Sequence, residues 1–96
     1  MKSGMTEDQE VKTLISLLAK ADDEGFIRAL LEDLFTYKEI RDIASRLNVA
    51  ILLDEGLSYN EIEKLTGASA TTIARVSKCL NHGAGGYTEA IVRLKA

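Results

Sequence analysis

The sequence predicts an all-α fold of about six helices. Residues that typically cap helices recur just before apolar residues spaced three and four positions apart. The chain contains no proline, so long helices can run without interruption. No segment alternates apolar and polar residues as a half-buried strand would. With 96 residues, 46% of them hydrophobic and 28% charged, we expect a single globular domain over residues 1–96.

The first two helices have wide apolar faces. Thr6 and Gln9 form a capping-box pattern that starts the first helix, and Asp22 or Asp23 is expected to cap the second. Residues 1–5 show no periodicity, and we expect them to be mobile. The apolar positions of the two helices are Val11, Leu14, Ile15, Leu17, Leu18, Ala21, Phe26, Ile27, Leu30, Leu31 and Leu34.

A third helix is predicted over residues 37–55. Thr36 and Glu39 form its capping box, and Gly56 ends it in the manner of a left-handed C-terminal residue. The apolar residues of residues 6–55 cover more than one narrow face, which is more than a small domain can bury. We therefore expect this segment to join two copies of the chain. A monomer with scattered exposed leucines is the alternative.

Residues 58–82 predict a helix-turn-helix motif. Ser58 and Glu61 start a short helix, Gly67 supplies a turn residue with positive φ, and Ser69 caps a second helix that reaches about Leu80. The residues expected to face inward are Ile62, Leu65, Ile73, Val76 and Leu80.

The outer face of the second helix of this motif is polar and basic. Thr71, Arg75, Lys78 and His82 lie at offsets of 0, 4, 7 and 11, and no acidic residue occurs in residues 67–88. A helix that starts with small side chains and free amides can approach phosphates and base edges. The predicted DNA contacts are Ser69, Ala70, Thr71, Thr72, Arg75 and Lys78. An ordinary helical hairpin with a solvated face is the alternative.

The distribution of charge along the chain is mildly asymmetric, and by itself it does not identify a partner. The net charge is −3, which argues against nucleic-acid affinity over the whole surface. Up to Ser58 there are seven basic and twelve acidic residues, a balance of −5. The remainder has five basic and three acidic residues, a balance of +2.

After this motif, residues 83–86 form a glycine-rich connector, and residues 87–96 are expected to form a short helix that docks through Ile91 and Leu94. Tyr59 and Tyr87 flank the motif. Two interpretations apply to each tyrosine: its hydroxyl contacts a backbone phosphate, or its side chain is partly packed.

Several other classes of protein are excluded. The single cysteine, Cys79, precludes an intrachain disulfide and is expected to be a buried thiol rather than a redox sensor. Residues 1–12 lack the apolar core of a signal peptide, and no apolar run reaches the roughly 18 residues of a membrane span. We therefore expect a cytoplasmic protein without a membrane partner.

No catalytic or metal site is expected. His82, the only histidine, has no ligand partner at suitable spacing, and the acidic residues 22–24 lack the repeating pattern of a calcium loop. The sequence has no phosphate-binding glycine loop and no Ser-His pair with an orienting acid. We interpret the protein as a non-enzyme.

The sequence resembles the tryptophan repressor superfamily, specifically its small Trp-repressor-like bacterial members. The similarity is densest over residues 46–56 and at Glu61-Ile62, Gly67-Ala68, Thr72-Ile73, Arg75, Ser77 and Leu80. The resemblance implies an intertwined homodimer whose two helix-turn-helix heads are spaced for successive major grooves. It also implies transcriptional repression.

The resemblance further implies a small-molecule pocket. Arg46 and Arg75 fall on the arginines that sandwich the indole of the corepressor in the tryptophan-binding member, and Thr36 falls on a threonine near that pocket. A glycine beside the ring is replaced by Val76, and a serine that contacts the ligand amine by Cys79. Because an added side chain would overfill the pocket, these departures argue against a tryptophan corepressor. We expect Arg75 to bind DNA and Arg46 to form a structural ion pair.

The sequence thus predicts a dimeric, sequence-specific DNA-binding transcriptional regulator, a repressor at a pseudo-palindromic operator. One alternative is a helical protein-interaction module that does not bind DNA. It is favoured by the overall acidity and by Glu63, which stands where the resemblance implies a basic residue. In the DNA-binding interpretation, we expect the adjacent Lys64 to compensate by contacting DNA. A second alternative is a regulator that responds to a ligand smaller than tryptophan.

Overall fold

The computed structural model describes residues 4–96, so the expected mobility of residues 1–5 falls in part outside the described residues. The described residues form six helices and no strand, which confirms the all-α prediction. The helices are α1 (Glu7–Lys20), α2 (Glu24–Leu34), α3 (Tyr37–Asp54), α4 (Tyr59–Thr66), α5 (Ala70–His82) and α6 (Gly86–Lys95).

The first helices begin where their capping residues predict. The Thr6 hydroxyl accepts a hydrogen bond from the Gln9 amide at 3.2 Å, and the Gln9 side chain accepts one from the Thr6 amide at 2.8 Å. Of the two aspartates considered for α2, Asp23 is the cap, and its carboxylate accepts from the Phe26 amide at 2.9 Å. These bonds satisfy amides that have no partner inside the helix.

The chain divides between Thr36 and Tyr37 into two compact units. The first unit contains α1 and α2, which bury no residue and do not pack against each other. Large apolar side chains on both helices therefore remain exposed, among them Val11, Ile15, Leu18, Phe26 and Leu34. Neither helix has a core of its own.

The second unit, Tyr37–Ala96, has a core to which all four of its helices contribute. The helix α3 packs against α4, α5 and α6 and supplies two of the core residues. The buried residues are Val49, Ala50, Ile62, Ile73, Val76 and Ile91. Thus α3, part of the segment predicted for dimerisation, is also the support on which the helix-turn-helix is built. The predicted division into residues 6–55, 58–82 and 87–96 stays a prediction.

Two residues expected to face this core point outward instead. Leu65 on α4 is 67% exposed and Leu94 on α6 is 63% exposed, so the predictions for both were wrong. Each lies three residues after a buried isoleucine, Ile62 or Ile91, which places it about 60° away from the inward direction. Of these three helices, only α5 buries residues three apart, Ile73 and Val76, and it packs against three helices whereas α4 and α6 each pack against two.

Two helix boundaries also differ from expectation. The helix α5 continues to His82, two residues beyond Leu80, and α6 begins at Gly86 instead of Tyr87. The connector between them is correspondingly shorter. Among residues 4–96, no helix is both long enough and apolar enough to cross a bilayer.

Candidate nucleic-acid interface

A capping box holds the start of α4. The Ser58 hydroxyl accepts from the Glu61 amide at 3.2 Å, and the Glu61 carboxylate accepts from the Ser58 amide at 2.9 Å. The hydrogen bond from the Ser58 backbone, assisted by that of its side chain, lowers the pKa of Glu61 because both favour the charged carboxylate. The first helix of the motif therefore starts at a defined residue.

The turn between α4 and α5 is held by its own polar groups. Gly67 ends α4 with a φ of 74°, as predicted, and its amide donates to the Glu63 carbonyl at 2.9 Å. The Thr66 hydroxyl donates to the Ile62 carbonyl at 2.7 Å and accepts from the Ala68 amide at 3.1 Å. These bonds fix the direction in which α5 leaves the turn.

Ser69 caps α5 and is also bonded to the side chain of Thr72. Its hydroxyl accepts from the Thr72 amide at 3.2 Å and donates to the Thr72 hydroxyl at 3.1 Å. The amides of Ala70 and Thr71 precede the first intrahelical bond, and they have no partner within residues 4–96. Two donors thus remain free at the positive end of the helix dipole.

The structure exposes the predicted stripe on α5. Thr71, Arg75, Lys78 and His82 are all exposed, while Thr72 is half-buried beside the turn. The opposite face contains Ile73 and Val76, which are 0% and 1% exposed. Burial of this face orients the stripe away from the core. The exposed set also includes Ser69, Ala70 and Lys64.

The basic residues assigned to binding have no neutralising partner within the described residues, and the same holds for Lys20 on α1. Within the described residues, Arg46, Lys64, Arg75 and Lys78 make neither an ion pair nor a hydrogen bond. Five other basic residues are paired with acids, namely Lys12, Arg28, Lys38, Arg93 and Lys95. The charge of these four side chains is therefore available to an anion.

The structural ion pair expected for Arg46 is absent from the described part of the chain, so that prediction was wrong. The acid one turn earlier, Asp42, is bonded to Lys38 at 2.9 Å instead. One turn later stands Ala50, which has no charge and is fully buried. The carboxylate within one turn on the same face of α3, that of Asp42, is thus already paired with Lys38.

Arg46 and Arg75 line one cavity of about 240 Å³, together with Val76, Cys79 and Tyr87. The structure thus brings together four of the five residues that the resemblance places around a ligand. The fifth, Thr36, belongs to the other compact unit, and its assignment stays a prediction. We call this space the two-arginine cavity.

Tyr87 was not predicted to line this cavity. It follows the glycine-rich residues 83–86, whose backbone freedom leaves the direction of the next helix undetermined by sequence. The structure places Tyr87 at the start of α6, half-buried against the core.

Cys79 is an exposed free thiol, so the expectation of a buried thiol was wrong. It lies beside the inward-facing arc of α5 that Val76 and Leu80 occupy. It also borders an open space lined by Gly83, Ala84, Gly86 and Tyr87. Because glycine and alanine have little or no side chain, this connector cannot cover the thiol. Among residues 4–96, no group of three or more His, Cys, Asp and Glu side chains is placed to hold a metal ion.

Comparison with known proteins decides the family. The family model described as Trp repressor protein matches residues 9–95. The chain belongs to the Trp repressor protein family. This confirms the resemblance, and it places the protein in a family of regulators whose expected partner is DNA.

Individual members of the Trp repressor family are similar to this chain over most of their length. The chain is 46% identical to the uncharacterized protein YerC of Bacillus subtilis (strain 168) over 80 residues, 83% of this chain and 76% of that protein. A crystal structure of a TrpR-like protein from Eubacterium eligens ATCC 27750 matches with a TM-score of 0.85 at 36% identity, over 91% of this chain and 90% of that one. A candidate Trp repressor from Staphylococcus aureus matches with a TM-score of 0.83 at 30% identity, over 90% and 86%.

Proposed function

We propose that the protein is a cytoplasmic, sequence-specific DNA-binding transcriptional regulator that acts as a homodimer and represses transcription at a pseudo-palindromic operator. The observation that carries the proposal is the composition of the exposed face of α5. It begins with two free amides at Ala70 and Thr71 and continues into Arg75 and Lys78, whose charges no residue of the described chain neutralises.

The start of α5 has the shape that base reading requires. Ser69, Ala70 and Thr71 are exposed and small, so that the helix end can approach the floor of a major groove closely. Their hydroxyls and methyl groups suit base edges, and the free amides and helix dipole suit an adjacent phosphate. Thr72 is half-buried and bonded to Ser69, and in this proposal it holds the helix end in position.

Arg75, Lys78 and Lys64 supply the electrostatic part of binding. Lys64 is exposed on α4 and the other two follow on α5, so phosphate contacts would flank the base-reading end of the recognition helix. Each contact releases condensed counterions from DNA, and this makes affinity depend steeply on salt concentration. Since the whole chain has a net charge of −3, such affinity belongs to this face and not to the general surface.

The exposed apolar residues of α1 and α2 support the dimer. Apolar side chains along both helices, such as Ile15, Leu18 and Phe26, would form an unusually large exposed apolar surface on an isolated chain. A second copy of the same segment would bury them. A twofold axis would then present two copies of α5, which is the arrangement that reads a palindrome.

The test is selection of bound duplexes from a random pool, followed by binding titrations of variants. The wild-type protein should enrich half-sites spaced about one helical turn apart, roughly 10–10.5 base pairs. Arg75→Ala should lower affinity by about tenfold or more with the fold intact by circular dichroism. Arg93→Ala is the matched control, because Arg93 is exposed on α6 and already paired with Glu89 at 2.9 Å.

Equal affinity of Arg75→Ala and the wild-type protein would contradict the role of this face. Failure to retain any duplex at low salt, together with reproducible capture of one partner protein, would replace the proposal with the protein-interaction alternative.

A second candidate function, regulation by a small anionic ligand, is favoured by the two-arginine cavity. Two unpaired guanidinium groups border a single space, and an anion between them would relieve their mutual repulsion. Val76 and Cys79 narrow the space that an indole would need. Calorimetry against amino acids should detect a carboxylate ligand smaller than tryptophan, with the heat abolished by Arg46→Ala. Absence of heat for every amino acid would exclude this class of ligand.

A further inference from the structure

A second polar space, which Arg46 also borders, lies between α3 and the turn of the helix-turn-helix. It has a volume of about 390 Å³. One wall consists of Lys38, Asp42, Ser45 and Arg46 from α3, and the other of Thr66, Gly67, Ala68 and Thr72 from the turn and α5. We call this space the α3–turn groove.

The α3 wall of the groove places a row of polar and charged side chains on one face. Lys38, Asp42, Ser45 and Arg46 lie at offsets of 0, 4, 7 and 8, the spacing of a single helical stripe. Both ends of the row are basic. The carboxylate of Asp42 is already bonded to Lys38 at 2.9 Å, whereas Arg46 has no ion pair within the described residues. The row therefore has an excess of positive charge.

The turn side of the groove offers hydroxyl chemistry and no unused amide. The amides of Gly67 and Ala68 are taken by the Glu63 carbonyl and the Thr66 hydroxyl. Thr72 accepts a hydrogen bond from Ser69, so its own hydroxyl proton remains available. A ligand here would be held by cationic and hydroxyl side chains, as a phosphate group is, and not by a cradle of backbone amides.

The groove adjoins the base-reading end of α5 through Thr72. A duplex that receives Ser69 and Thr71 in its major groove must pass one of its sugar-phosphate strands beside this end of the helix. We propose that the α3–turn groove binds a backbone phosphate of the same DNA duplex through Lys38 and Arg46, and that Asp42 restrains this contact by competing for Lys38. This inference rests on the proposed DNA-binding function.

The pair Lys38–Asp42 is suited to such exchange because it is a surface pair within one helix. The two side chains are 85% and 49% exposed, and ion pairs of this kind contribute little to stability. A phosphate can therefore replace the carboxylate as the partner of Lys38 at small cost. Asp42 would simultaneously repel the approaching phosphate, so its removal should strengthen binding.

The experiment measures affinity for the selected duplex as a function of salt. Lys38→Ala should weaken binding about two- to fivefold and reduce the magnitude of the salt slope by about one. Asp42→Asn should strengthen binding by a similar factor. The matched controls are Lys95→Ala and Asp54→Asn, which break an exposed Lys–Asp pair of 3.2 Å in the same compact unit and change the net charge equally.

The outcomes separate this inference from the function on which it rests. If Arg75→Ala loses affinity while Lys38→Ala and Asp42→Asn behave like their controls, the groove contact is wrong and the DNA-binding proposal stands. If the wild-type protein binds no duplex, both fail. Titration with inorganic phosphate, followed through the amide resonances of Ser45 and Arg46, tests a free anion as the source. Free phosphate that saturates the groove without any effect of Lys38→Ala on DNA binding would overturn the inference.

Discussion

The Ser69 hydroxyl forms two hydrogen bonds to Thr72, accepting from its amide at 3.2 Å and donating to its hydroxyl at 3.1 Å. This pair couples the cap of α5 to a residue that borders the α3–turn groove. The stability of α5 and the position of the end that we propose to contact DNA thus depend on the same side chain.

Substitutions of Ser69 should separate these two roles. Ser69→Ala removes the cap and should lower the free energy of unfolding by about 1 kcal/mol. Ser69→Asp retains a good cap but places a negative charge at the DNA-facing end of α5, so stability should be kept while DNA affinity falls. Urea unfolding and duplex titration of both variants check this. Undiminished affinity of Ser69→Asp would contradict the placement of this residue at DNA.

Gly67→Ala tests the turn. Its φ of 74° is unfavourable for a residue with a Cβ, although a Cβ there would meet no atom within 4 Å. The expected loss is therefore backbone strain alone, about 1 kcal/mol in unfolding free energy. Gly86→Ala is the control, because Gly86 has equal space and no positive φ. A loss as large at Gly86 as at Gly67 would exclude this explanation.

The two apolar side chains of α4 should differ sharply in their contribution to stability. Ile62 is fully buried, so Ile62→Ala should lower the free energy of unfolding by about 2–5 kcal/mol. Leu65 is 67% exposed, and Leu65→Ala should change it by less than about 0.5 kcal/mol. Denaturant titration of both variants measures the contrast. A large loss at Leu65 would indicate that a partner covers it in solution.

The capping box of α4 should depend on pH. Because the folded state lowers the pKa of Glu61, its stabilising contribution is present above the ordinary glutamate value of about 4.3 and disappears as the pH falls through the lower folded-state pKa. Glu61→Gln retains the hydrogen-bond acceptor but does not titrate. The stability difference between wild type and this variant should therefore be larger at pH 7 than at pH 3. An equal difference at both values, measured by urea unfolding, would argue against this linkage.

The apolar face of α1 should govern oligomeric state. Wild-type protein should sediment at twice its chain mass of 10.5 kDa. Ile15→Asp should shift it toward the monomer, since Ile15 is an apolar residue left 59% exposed on a single chain. Ser16→Asp adds the same charge at the neighbouring polar residue and should leave the dimer largely intact. A wild-type monomer would disprove the dimer.

Local patterns in the sequence predicted much of the fold and the exposed basic face of α5. The capping boxes at Thr6 and Ser58, the cap at Ser69 and the positive φ of Gly67 all depend on residues within a few positions of one another. The exposed stripe of α5 follows in the same way from helix periodicity. Such features depend on short-range geometry, so they could be predicted from the sequence without any knowledge of how the helices pack.

The errors concern residues whose surroundings come from distant parts of the chain. Leu65, Leu94 and Cys79 were all expected to be buried, yet each lies at the margin of a helix that neighbouring helices cover only in part. The joint position of Arg46 and Tyr87 in one cavity could not be predicted from spacing, because they lie 41 positions apart and the intervening chain includes a glycine-rich connector.

Capping patterns thus specify about where each helix begins and ends along the chain, since hydrogen bonds within a few residues control these limits. Which outward or inward residues meet across helices depends on how α3, α4, α5 and α6 pack around Val49, Ile62, Ile73 and Ile91. The α3–turn groove and the two-arginine cavity are products of that packing. Their residues come from helices far apart along the chain. A local sequence pattern therefore does not predict that these residues are close together.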